Sequence, residues 1–270
     1  MAKTYTYTLH TRGPALWPEH KPLAEVLDLE ATTPEWTWEA TYQGNASPPG
    51  GSIYRREWWL GRNRYDPEHV EELARTAVGR CLSFDTAVED KENSAFTAWG
   101  AFDLLPDHRL LVRDVGRARL TFAQLPQHIE AYAERWNYDD KLRYGEGSRV
   151  VIESKSSGTS AYQTLAAASE VLWLRDILVP WMPTVDKLHR ARQASVWCRN
   201  ACILLPVPSH LVPWLLTFEN ELFSVPSAEF MDQADMFSQI VVYLEHIISA
   251  GWHARRELER QRAAATAGPS

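Results

Sequence analysis

Three acidic residues stand where ordered elements are expected to end or begin: Asp85, Glu153 and Asp232. Asp85 closes the apolar run Cys81-Leu82-Ser83-Phe84-Asp85, and Glu153 closes Val150-Val151-Ile152-Glu153. Asp232 opens a helical pattern, Met231-Asp232-Gln233-Ala234-Asp235, that runs to about Ile248. A desolvated, unpaired carboxylate is costly, so one at the end of a buried strand calls for a cation. Three of them on separate elements can converge on divalent metal, and Mg²⁺ and Mn²⁺ favour oxygen ligands. The chemistry open to such a set is phosphodiester hydrolysis with two ions ~4 Å apart bracketing a phosphate.

Each acid also has a plainer explanation. Asp85 can be a strand-end turn residue, with Asp90 and Glu92 as loop charges beyond it. Glu153 can lie in a surface β–α loop, Glu153-Ser154-Lys155-Ser156-Ser157-Gly158. That loop is small and polar, Lys155 can neutralise a phosphate, and Gly158 can precede a helix N-terminus that favours anions. The nucleotide-binding pattern G-x-x-x-x-G-K-[ST] is absent from the chain. Asp232 can be a helix N-cap. Capping does not explain Asp235, which shares its helix face three positions on, among Met236, Phe237, Ile240 and Val241.

The elements that must position these residues follow from periodicity. Strands are expected at Arg80–Asp85, Ala95–Leu105 and Leu110–Val115, as an antiparallel meander with a turn at Pro106-Asp107. A helix over Thr121–Trp136 has Leu125, Ile129, Tyr132, Ala133 and Trp136 at helical spacing. A strand at Arg149–Glu153, a glycine turn at Gly158 and a helix near Ser160–Ala168 follow. Beyond them are expected a strand at Ile177–Trp181, a helix at Val185–Cys198, a strand at Ala201–Pro206 and helices at Val212–Phe223 and from Asp232. This order is a mixed α/β layer arrangement. It matches a ribonuclease H-like sheet flanked by helices, in which acids on the first strand, the fourth strand and the last helix meet at one sheet edge.

Residues 1–75 read differently. They hold Trp17, Trp36, Trp38, Trp58 and Trp59 and the breaker Pro48-Pro49-Gly50-Gly51, with short helices at Pro22–Leu29 and Pro34–Tyr42. This is an irregular N-terminal arm or linker whose tryptophans dock on something, ahead of a domain over 76–270.

The 270 residues are 45% hydrophobic, enough for a packed core. No stretch of 18 or more apolar residues occurs, which excludes a helical membrane span. The first residues lack a hydrophobic signal core, so an intracellular protein is expected. Three cysteines suit reduced thiols better than disulfides; Cys198 and Cys202 with His189 lack a fourth metal ligand. The net charge of −7 argues mildly against nucleic acid, as most standalone DNA binders are basic. Basic residues do cluster, at Arg113, Arg117 and Arg119, at Lys187, Arg190 and Arg192, and at Arg255, Arg256, Arg260 and Arg262.

Several segments, in order, resemble the C-terminal nuclease domain of large terminases, the DNA-packaging motors of tailed bacteriophages. They are Phe84-Asp85-Thr86-Ala87, Ala95-Phe96-Thr97-Ala98-Trp99-Gly100 and Val151-Ile152-Glu153-Ser154-Lys155-Ser156-Ser157-Gly158, then Asp186-Lys187-Leu188-His189-Arg190-Ala191, Phe218-Glu219-Asn220-Glu221-Leu222-Phe223 and Met231-Asp232-Gln233-Ala234-Asp235. The resemblance covers about 80–250, and residues 14–60 resemble the segment joining motor to nuclease. It departs from the family at Met231, where the family often has a second acid or a histidine before the Asp, and in lacking the ATPase motor. An excised nuclease portion or one piece of a split gene is therefore expected.

The resemblance implies a metal-dependent endonuclease that cuts double-stranded viral DNA during genome packaging. Asp85 would bridge two Mg²⁺ or Mn²⁺ ions, Glu153 and Asp232 would hold one each, and Asp235 would assist. Lys155, Lys187 and Arg190 are candidates for backbone phosphate contacts. Implied partners are duplex DNA, the terminase ATPase motor, the small terminase subunit and the portal, with no membrane, in the cytoplasm of the infected bacterial host. The alternatives are another ribonuclease H-like nuclease, such as a junction resolvase, and a non-catalytic packaging or docking module. Substrate tests separate them.

Overall fold

The computed structural model describes residues 21–42, 52–87, 96–155 and 157–266. Expectations for Trp17, the Pro48–Gly51 breaker, Asp90 and Glu92 lie outside those residues, as do the side chains of Trp36 and of Arg255 to Arg262. Helices α1 (Leu23–Thr32) and α2 (Glu35–Tyr42) precede a short strand β1 (Arg64–Tyr65) and α3 (Val70–Arg75). The meander follows as β2 (Gly79–Asp85), β3 (Thr97–Leu104) and β4 (Leu110–Ala118). Then come α4 (Gln124–Trp136), α5 (Lys141–Tyr144), β5 (Arg149–Glu153), α6 (Ser157–Ala168), α7 (Leu174–Ile177) and β6 (Leu178–Trp181). The chain ends in α8 (Lys187–Arg199), β7 (Ile203–Pro206), α9 (Leu215–Leu222) and α10 (Asp232–Thr266).

One sheet runs in the order β1-β7-β4-β3-β2-β5-β6. The pairs β2–β3 and β3–β4 are antiparallel, while β2–β5, β5–β6, β4–β7 and β1–β7 are parallel. An antiparallel meander whose first strand pairs with a parallel fourth is the ribonuclease H-like arrangement. The layers follow from side-chain alternation along the strands. In β2, Leu82 and Phe84 join Val150 and Ile152 of β5 under α4, α6 and α7. Cys81 joins Val151 on the opposite face, under α8, α9 and α10. The five apolar positions expected in α4 are its five buried ones. Burying each large side chain of this kind contributes roughly 1.5–3 kcal/mol.

Two expectations need correction. The helix after β5 starts at Ser157, so Gly158 lies in its first turn instead of in a separate turn. A Cβ on Gly158 would lie 1.8 Å from the Glu153 carbonyl oxygen, so glycine is needed for close approach. Helix α10 runs 35 residues and does not stop near Ile248. Described residues ahead of 76 also pack on the sheet. Tyr54 and Trp59 are in the core, the Trp59 indole donates to Ile203 O at 3.1 Å, and β1 extends the sheet.

Candidate active site

The parallel pairing of β2 and β5 puts Phe84 opposite Ile152, so both strands finish at the same edge of the sheet. Alternation then decides the face. Asp85 lies two residues from Ser83, whose hydroxyl donates to Met236 O of α10 at 3.2 Å. Glu153 lies two residues from Val151, which packs in the α10-side cluster. Both carboxylates therefore turn toward α8 and α10. The loops behind them are tied together, since the Ser157 hydroxyl donates to Thr86 O at 3.1 Å.

Helix α10 is held in phase by polar contacts in an apolar interface. The Gln239 amide donates to Ser83 Oγ at 3.1 Å and to Phe84 O at 3.2 Å. Asp235 precedes Gln239 by one turn and is carried to the strand ends. The start of the helix is capped from α9. Glu221 Oε1 accepts from the backbone N–H of Gln233 at 2.6 Å and of Ala234 at 3.0 Å, while Arg117 Nη1 binds Glu221 Oε2 at 2.7 Å. A carboxylate there also complements the helix dipole.

Asp85, Glu153 and Asp235 are 7%, 4% and 4% exposed. Lys187 ion-pairs with Asp235 Oδ2, and its Nζ lies 3.6 Å from Asp85 Oδ2. Glu153 Oε1 receives Lys155 Nζ at 3.1 Å and Arg190 Nη2 at 3.4 Å. The backbone of α8 is fixed by Asp186, whose side chain accepts from the His189 N–H at 2.9 Å. Burial, then a hydrogen bond to Glu153, pushes the Asp85 carboxyl well above the ordinary carboxylate range. Burial also raises Asp235, against the pull of Lys187. Burial acts on Glu153 too, but the Asp85 hydrogen bond, Arg190 and Lys155 bring it below its usual value. Burial opposes the charge on Lys187, but Asp85 and Asp235 overcome it and push its pKa up to about 12. Like charges collected under burial, each shifting the others, are a mark of functional sites.

No known family's sequence profile matches the chain, and no curated protein matches it. Among solved structures, it is similar to the human cytomegalovirus terminase nuclease domain, at 15% identity over 71% of this chain and 94% of that one, with a TM-score of 0.48. It is similar to the large terminase nuclease of the thermophilic phage G20c with bound magnesium, at 13% identity over 61% of this chain and 80% of that one, with a TM-score of 0.42. The large terminase of another thermophilic bacteriophage, in complex with ADP, matches at 12% identity and a TM-score of 0.42 over 61% of this chain. The chain spans 39% of the length of that ADP-bound terminase.

Of the residues singled out in the sequence, the structure brings together Asp85, Glu153, Asp235, Lys155, Lys187 and Arg190. Asp232 stands apart. It is partly exposed, and among the described residues no hydrogen bond or ion pair joins it to the other acids. The capping role open to it falls instead to Glu221. Arg190 is 1% exposed and turned inward, so it faces Glu153 and the Val185 carbonyl rather than a phosphate outside. Sequence reasoning missed the placing of Glu221 and Gln239. The signal was a polar residue inside each apolar helix pattern, beside Phe218 and Leu222 and beside Ile240 and Val241.

Among the described residues, no three His, Cys, Asp or Glu side chains are arranged around one point as a metal ion would need. The donor set nonetheless fits a hard divalent cation. It is all carboxylate oxygen, carried by three side chains that are each less than a tenth exposed. An ammonium already lies between Asp85 and Asp235, where positive charge is wanted.

Proposed function

We propose that the chain is a metal-dependent endonuclease of the large-terminase kind, cleaving double-stranded viral DNA during genome packaging. The observation that carries this reading is the meeting of three buried carboxylates, from β2, β5 and α10, at one edge of a ribonuclease H-like sheet. The sequence resemblance supplies the substrate and the setting.

Asp85, Glu153 and Asp235 would hold the ions, with Asp235 in the place first expected of Asp232. Bound Mg²⁺ or Mn²⁺, two ions in this reading, would supply an activated water and charge stabilisation at the phosphate. The chain's own residues prepare that site. Glu221 and Gln239 set the phase of α10 and so the place of Asp235. Gly158 lets α6 approach the backbone of Glu153, and Arg190 and Lys155 keep Glu153 ionised. Lys155, whose side chain is 55% exposed, is the residue of this group best placed for a DNA phosphate. Residues 1–75 would connect to the ATPase motor, with the small terminase subunit and portal as further partners, in the cytoplasm of the infected bacterial host.

The test is incubation of the purified chain with supercoiled plasmid, with Mn²⁺, with Mg²⁺ and with EDTA. Nicking and linearisation with either metal and none in EDTA are expected. Full activity in EDTA sinks the reading, and cleavage of RNA or four-way junctions but not duplex DNA reassigns it to another nuclease of this fold.

A further inference from the structure

We infer that Lys187 is a tethered cation that holds the Asp85 and Asp235 carboxylates until a divalent ion displaces it. The inference rests on the nuclease reading and adds to it a gate on metal entry. Lys187 is the first residue of α8, on backbone pinned by Asp186. Its ammonium pairs with Asp235 Oδ2 and reaches Asp85 Oδ2 at 3.6 Å. Among the described residues, no other ion pair reaches either acid; Arg190 and Lys155 are both on Glu153. The acids are almost wholly buried while the Lys187 side chain that pairs with them is 46% exposed, so this side chain runs from the buried pair out to solvent.

The residue type suits a gate. Lysine carries a compact charge on a flexible four-carbon stem, so its head can leave without moving the helix. Arginine in the same cluster behaves otherwise, since Arg190 is buried and fixed to the Val185 carbonyl. An ammonium and a divalent ion cannot share the space between two carboxylates, because they repel strongly at a few ångströms. With the ammonium in place, the acids are neutralised enough to be packed together; without it they would repel. Lys187 thus lowers metal affinity and steadies the metal-free fold, and it is a positioning residue, not a catalytic one.

The experiment is a calorimetric Mn²⁺ titration without DNA on wild-type protein, Lys187→Met and Lys187→Gln. Both variants should bind Mn²⁺ about tenfold more tightly, as expected from removing a competing charge within contact distance. In parallel, wild-type protein is acetylated with an amine-reactive ester with and without Mg²⁺, and Lys187 is followed by mass spectrometry. Metal should speed labelling at Lys187 relative to the other lysines. Unchanged Mn²⁺ affinity in the variants, or unchanged labelling, overturns the inference and leaves the nuclease reading standing; Lys187 is then a structural or phosphate contact. Absence of Mn²⁺ binding by wild type and variants alike sinks the site reading and this inference with it. Should the variants fail to fold, labelling of the wild-type chain decides alone.

Discussion

Strand β2 has a buried arginine near its start and a buried aspartate at its end, and the two ends solve the problem of buried charge differently. Arg80 donates through Nε to Asp103 Oδ1 at 2.7 Å and through Nη1 to Asp139 Oδ1 at 2.8 Å and Trp136 O at 2.7 Å. Arg113 joins Asp103 to Glu71, and the Arg80 guanidinium lies 4.8 Å from the Tyr138 ring. There, planar guanidinium groups with several donors answer each carboxylate. At the other end, Asp85 meets Glu153, another acid, and the ammonium of a lysine whose side chain is partly in solvent. Satisfied networks of the first kind fix a structure. Collections of the second kind are kept at a cost in stability, and function is the usual reason.

The contrast can be broken at its structural end first. Arg80→Met should cost roughly 3–5 kcal/mol of stability, the usual penalty for leaving a buried partner uncompensated. Urea unfolding measures it. Asp85→Asn, in EDTA, should be neutral or stabilising because it relieves a crowded acid. An Arg80→Met variant as stable as wild type would show that the network at that end is not what holds β2.

The functional end should respond in activity. Asp85→Asn, Glu153→Gln and Asp235→Asn should each reduce plasmid cleavage by more than about 100-fold, beyond the loss seen for residues that merely support a metal ligand. Their circular dichroism should stay native. Tyr138→Phe, at the opposite end of the strand, should leave cleavage unchanged. Equal loss from Tyr138→Phe would mean that the ends are not separable.

Gly158→Ala sharpens the comparison by moving a site residue through its backbone alone. The added methyl must push on the Glu153 carbonyl, at a cost of about 1–3 kcal/mol, as overpacking does. Thermal unfolding should fall accordingly and cleavage should drop while Mn²⁺ is still bound. A variant with wild-type melting temperature and activity would contradict the close approach of α6 to β5.

A pH scan in EDTA tests the same end more gently. The folded-state pKa of Asp85 is raised, so the folded chain holds a proton that the unfolded chain has released. That contribution is present at low pH and is lost as pH rises from the ordinary Asp value through the raised one. Asp85→Asn removes the penalty, so its stability relative to wild type should grow as pH rises above the ordinary Asp value. A gap that shrinks with rising pH would reverse the sign assigned to Asp85.

The sequence made the strand ends legible because each acid terminates an apolar run, so Asp85 and Glu153 stood out without any contact being known. Helix α4 was legible for the same local reason, its apolar spacing. What it hid was non-local. Gly158 looks like a turn until the path of α6 past Glu153 is seen. Arg190 looks like a surface cation in a basic cluster until α8 is laid against β5. Asp232 and Asp235 share one helical face, and nothing local ranks them. Their ranking depends on Glu221, from another helix, and on Gln239 reaching Ser83 across the sheet.

That ranking gives the smallest expected effect and the sharpest discrimination. Asp232 is partly exposed and unpaired with the cluster, so Asp232→Asn should change stability by less than about 0.5 kcal/mol, as surface substitutions do. Its cleavage should remain within about tenfold of wild type, because it can act on the site only through the screened field of an exposed charge. Asp235→Asn should be the inactive member of the pair, because its carboxylate is buried beside Asp85 and Lys187. Plasmid cleavage in Mn²⁺ and Mn²⁺ affinity, measured side by side on both variants, decide the matter. If Asp232→Asn is dead and Asp235→Asn cuts normally, the first turn of α10 must rotate when metal binds. Glu221 would then be the residue that has to release it.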